Sequence, residues 1–75
     1  MSDTVQPFLA FVTAAETRLL QARSRSSLHS DWDHDSGVLR GYWYAGAVAD
    51  VELQAGLDTL KKAYRQRFEQ LPTEH

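Results

Sequence analysis

The 75-residue chain contains no cysteine, so no disulfide can brace it and thiolate zinc sites are closed to it. That lack also fits a reducing compartment, and a cytoplasmic location is the expectation drawn from it. Only two prolines occur, Pro7 and Pro72, which leaves the stretch between them free of the strongest helix breaker. Long apolar runs are missing as well. Charge-free stretches such as Gly41 to Ala49 are too short and too polar to span a bilayer, and no basic-then-apolar leader opens the chain. A soluble protein with no membrane partner is expected. Eight Lys and Arg stand against ten Asp and Glu, a net charge of −2, which gives no global attraction for nucleic acid or anionic lipid.

The ingredients of catalysis are also scarce. No glycine-rich phosphate loop and no carboxylate pair on an apolar face occurs, while Ser30, His34 and Ser36 are close only within a polar stretch. Neither an enzyme nor a cofactor is expected. The densest group of ligand-type residues is His29, Asp31, Asp33, His34 and Asp35. Three aspartates at alternate positions resemble the start of a calcium loop, but Gly37 comes one residue late and Tyr42 stands where a bidentate glutamate is needed. A capping, solvated acidic turn is the reading, and no metal is assigned.

What is present is helical periodicity. Ser2, Asp3 and Thr4 can each cap a helix, with Pro7 in its first turn. From there Val5, Phe8, Val12, Ala15, Leu19 and Ala22 are spaced 3, 4, 3, 4, 3, the seam of a heptad. Leu9, Phe11 and Leu20 broaden that face beyond what one neighbouring helix can cover. The seam fails among Ser24, Ser26 and Ser27, which have poor helix propensity. A second seam follows through Leu39, Tyr42, Gly46, Ala49, Leu53, Gly56, Leu60, Ala63, Arg67 and Leu71. The expected fold is therefore all-α: an antiparallel two-helix hairpin with a helix over about 4–27, an acidic turn over 28–36 and a long helix over about 37–71. It forms a single domain, residues 1–75. The long helix would run roughly 50 Å and the first one roughly 30 to 37 Å. The mismatch predicts either an overhang or a break at Gly41, Gly46 or Gly56.

Apolar surface in excess of one hairpin predicts a homodimer in a four-helix arrangement. Its packing positions would be Val5, Phe8, Val12, Leu19, Gly41, Ala45, Ala49, Leu53, Leu57 and Leu60. Among these, Gly41, Ala45 and Ala49 continue from Gly37 as a ridge of small residues suited to a close helix crossing. Trp32, Tyr42, Trp43 and Tyr44 crowd one end of the hairpin, and four large aromatics exceed what two helices can bury. Trp32, Tyr42, Trp43, Tyr64 and Phe68 are the expected contacts with a protein partner. Lys61, Lys62, Arg65 and Arg67 surround Tyr64 and offer an alternative nucleic-acid contact, though Asp58 and Glu69 flank them and the cations also suit the helix dipole. The function expected is that of a small non-enzymatic protein-binding regulator or inhibitor. The alternatives are a nucleic-acid-binding hairpin and a structural assembly subunit.

Overall fold

The computed structural model describes residues 5–73, and among these it forms three α-helices and no strand: α1 (Val5–Leu20), α2 (Arg25–Tyr44) and α3 (Asp50–Gln70). The caps expected at Ser2, Asp3 or Thr4 lie outside the described residues. Short links, residues 21–24 and 45–49, make sequential helices antiparallel neighbours. The contacts fix the directions. Phe8 near the start of α1 meets Tyr42 near the end of α2, with ring centroids 5.6 Å apart, while Arg18 reaches Asp35. Arg67 near the end of α3 donates from Nε to the carbonyl of Ala22 at 2.8 Å, so α1 and α3 run parallel. The result is a slender up-down-up bundle measuring 46 × 17 × 16 Å.

The all-α expectation holds, but the two-helix hairpin gives way to three helices, and each boundary has a local cause. The first helix stops at Leu20, not near residue 27. Gln21 and Ala22 hydrogen-bond back to Arg18 and Leu19, and the chain then extends at Ser24 (φ −148°, ψ 161°). Ser24 Oγ accepts the Ser27 N–H at 3.1 Å and so starts a new helix. Serines that weaken a helix interior are here the N-terminus of α2.

The stretch 28–36, expected to be a turn, lies in the interior of α2. Its inward positions are Leu28, Trp32, Asp35, Leu39 and Tyr42, spaced 4, 3, 4, 3. That is an ordinary seam in which a carboxylate holds the central place. Asp35 and its neighbour Ser36 are both buried, and a hydrophobic pattern cannot register a helix whose middle is polar.

The long helix over 37–71 is divided at Ala45–Ala49, with the break at Gly46, one of the three glycines considered. Gly46 takes φ +76°, a left-handed conformation open to glycine at little cost. Gly46 N–H bonds to the Trp43 carbonyl and Ala47 N–H to the Tyr42 carbonyl, both at 3.0 Å, which together make a Schellman closure. Ala49 then begins α3, its N–H donated to Glu52 Oε1 at 2.7 Å. Alanine has no side-chain acceptor, so this is only one half of a capping box. Leu71 ends α3 through its N–H to the Arg67 carbonyl, immediately before Pro72.

The core is one cluster along the axis: Phe8, Val12, Ala15 and Leu19 from α1, Leu28 and Leu39 from α2, Leu53, Leu60 and Ala63 from α3, closed by Ala22, Val48 and Leu71 at the joints. The expected packing residues Phe8, Val12, Leu19, Leu53 and Leu60 thus meet within one chain, with Leu57 partly buried against them and Val5 half-buried. The small-residue ridge does not pack within the chain. Gly37 and Gly41 have nothing within 4 Å of a built Cβ, while Ala45 and Ala49 are exposed in the elbow. Close approach occurs at Gly56 instead, where an added Cβ would lie 2.9 Å from Leu39 Cδ2, 3.0 Å from Phe8 Cζ and 3.3 Å from Val12 Cγ2. Among the described residues, no helix is long and apolar enough to cross a membrane.

Two glycine substitutions should move stability in opposite directions. Gly56→Val overpacks the point where the helices converge and should cost about 1–3 kcal/mol. Gly37→Ala, in open space within a helix, should add up to about 1 kcal/mol. Urea unfolding followed by circular dichroism measures both, and equal effects would contradict the packing described.

Candidate interaction surface

The elbow between α2 and α3 carries three of the exposed large hydrophobic side chains, Trp43, Tyr44 and Val51. Residues 41–49 carry no charge, and the helical step of about 100° per residue divides the aromatics of the last turn of α2 between inside and outside before the Schellman closure at Gly46 turns the chain. Tyr42 faces in, half-buried, its ring edge-on to Phe8. Val48 is buried and pins the elbow to the core. Trp43 and Tyr44 face out, 39% and 80% exposed, with ring centroids 5.1 Å apart and planes at 63°. Val51, on the first turn of α3, is 75% exposed. The elbow is therefore a charge-free link with an exposed aromatic pair at the end of α2 and one exposed aliphatic side chain between Asp50 and Glu52 at the start of α3, held by a buried valine and a capped helix end. Large exposed aromatics of this kind gain much from burial against a partner and lose little side-chain freedom.

Of the elbow residues, Tyr42 and Trp43 are among the contacts expected from sequence, and of these two Tyr42 is turned inward against Phe8 and only Trp43 is exposed. Tyr44 and Val51 were outside that set because exposure at this point depends on the elbow, which divides a stretch that reads as one continuous helix. The glycine at position 46, preceded by aromatics and followed by small residues, was the available signal.

The other expected contacts sit elsewhere and are largely engaged within the chain. Trp32 and Tyr64 are half-buried against the core, 5.8 Å apart between α2 and α3. Tyr64 also stacks on Phe68 at 5.9 Å, with planes 21° apart, and His29 edges toward it at 6.5 Å. The Arg25 guanidinium lies 4.0 Å above the Phe68 ring and donates to Thr73 Oγ1. Arg25, Phe68, Tyr64 and Trp32 thus form a column along the α2–α3 seam, at the opposite end of the bundle from the elbow.

The basic cluster divides in the same way. Lys61, Lys62 and Arg65 are exposed on α3, whereas Arg67 is half-buried, joined to the Ala22 carbonyl and to Gln70 Oε1. That second role is structural, because it ties the end of α3 to the link between α1 and α2.

Once residues 29–35 are helical, their ligand-type side chains fan around α2. His29 pairs with Asp33 at 3.5 Å on an exposed face, and Asp35 points inward. Among the described residues, no three His, Asp or Glu converge as metal ligands do, and no pocket opens. Asp35 is 1% exposed. Its Oδ1 accepts from Arg18 Nη2 at 2.9 Å and lies 3.1 Å from His34 Nδ1, while Oδ2 has no hydrogen-bond partner among the described residues. A buried carboxylate carries a large desolvation cost, and the Arg18 cation from α1 offsets it, which ties α1 to α2 in one register.

The outer face of α1 is of a different character. Its exposed positions from Gln6 to Thr17, namely Gln6, Pro7, Leu9, Ala10, Thr13, Ala14 and Thr17, are uncharged, with half-buried Glu16 and exposed Arg18 at the edges of the face. Thr13 and Thr17 donate their hydroxyls to the carbonyls of Leu9 and Thr13, so the face presents few polar groups that require water.

The Arg18–Asp35 pair can be tested by a double-mutant cycle. Arg18→Leu alone should destabilise by about 1–3 kcal/mol because it strands the buried carboxylate, partly relieved by His34. Arg18→Leu with Asp35→Leu should recover most of that loss, since two apolar groups leave no unpaired charge. Additive losses in thermal unfolding would show that the two side chains do not interact. No protein-family model, curated protein or solved structure matches this chain.

Proposed function

We propose that this chain is a small non-enzymatic regulator or inhibitor that acts by docking the α2–α3 elbow onto a partner protein. The observation that carries the reading is the exposure of Tyr44 and Val51, 80% and 75%, on either side of the charge-free link 45–49 of a chain whose other large apolar side chains mostly meet the core. Apolar side chains left exposed on either side of one short link have no stabilising role in the free chain, and they are the kind of surface that association uses. A convex tip needs a concave, apolar receptor. A second copy offers no pocket among its described residues, so the expected receptor is a different protein.

Self-association, if it accompanies this activity, is best supported by the outer face of α1. The exposed positions of that face from Gln6 to Thr17 carry no charge, and Glu16 and Arg18 stand only at its edges, so two copies could meet across a two-fold axis with no charge at the centre of the contact. The pressure toward a dimer is weaker than two helices alone would imply, because α3 covers apolar surface that a partner hairpin was expected to cover. The nucleic-acid alternative has less support. Three exposed cations lie between Asp58 and Glu69, Arg67 is held by the Ala22 carbonyl, and Tyr64 is stacked within the α2–α3 seam. An assembly subunit would need faces that build beyond a dimer, and no feature beyond the α1 face and the elbow supports that. A cytoplasmic setting accompanies the proposal.

Affinity capture from a host lysate with wild type and the double variant Tyr44→Ser, Val51→Ser tests the elbow. A discrete partner should be held by wild type and weakened about 30-fold or more in the variant, the effect of losing roughly 2 kcal/mol at a central contact. The thermal midpoint should stay within about 4–8 °C, because neither side chain is in the core. Equal recovery of the partner by both proteins would overturn the reading.

Sedimentation equilibrium of wild type and Ala14→Glu tests the α1 face separately. Any dimer formed by wild type at micromolar concentration should dissociate when two glutamates are brought together across the axis. A dimer that survives the substitution would place the interface elsewhere.

A further inference from the structure

We draw no further inference here: the strongest candidate, the aromatic surface patch along the α2–α3 seam formed by Arg25, His29, Trp32, Tyr64 and Phe68, carries nothing because nothing in the structure shows what covers it.

Discussion

Three helices converge where Gly56 has no side chain, and the bundle depends on that approach. Leu39 from α2 and Phe8 and Val12 from α1 occupy the space that a Cβ on α3 would need. A glycine inside a helix costs about 1 kcal/mol relative to alanine, and here it is offset by close packing of three apolar side chains against one backbone. The buried leucines and alanines above and below Gly56 extend the same contact along the axis. Because α3 supplies this third wall, one chain encloses Phe8, Leu19, Leu28, Leu39 and Leu60 almost completely. A two-helix unit of this length would leave much of that surface in water.

Polar groups then determine how the apolar walls are registered. Asp35 occupies the central inward position of α2, where a hydrophobic residue would be indifferent to sliding, and its bond to Arg18 fixes α1 against α2. Arg67 does the same for α3 by bonding the Ala22 carbonyl, and Arg25 covers Phe68 near the same end. One end of the bundle is thus held by guanidinium groups. The other end is held by Val48 and the glycine closure, and there the link 45–49 is charge-free and follows two exposed aromatic side chains. This contrast makes the elbow the stronger candidate for contact with another protein, since the guanidinium end has already paired much of its polar and aromatic surface.

The same division explains why the sites expected from sequence separate in space. Trp32, Tyr64 and Phe68 become neighbours because antiparallel α2 and α3 bring distant positions together, whereas Trp43 lies at the far end. Adjacent Tyr42 and Trp43 go to opposite environments, because successive helical residues point about 100° apart. Arg67 leaves the basic cluster for a carbonyl that is 45 positions away in sequence. None of these relations has a local signal.

The sequence by itself determined that the chain is helical, that α1 buries Phe8, Val12, Ala15 and Leu19, and that glycine near the middle of the second half could interrupt a helix. Those properties follow from periodicity and backbone freedom, which act over a few residues. Only tertiary structure decided that residues 28–36 are helix interior, that Gly46 and not Gly41 or Gly56 makes the break, and that Gly56 is the packing glycine. Asp35 reads as a turn residue until Arg18 arrives from another helix to offset its burial. Likewise, a glycine reads as a helix breaker until neighbouring side chains fill the space beside it. In each case the deciding energy comes from a contact between residues far apart in the chain, and no short stretch of sequence contains both partners.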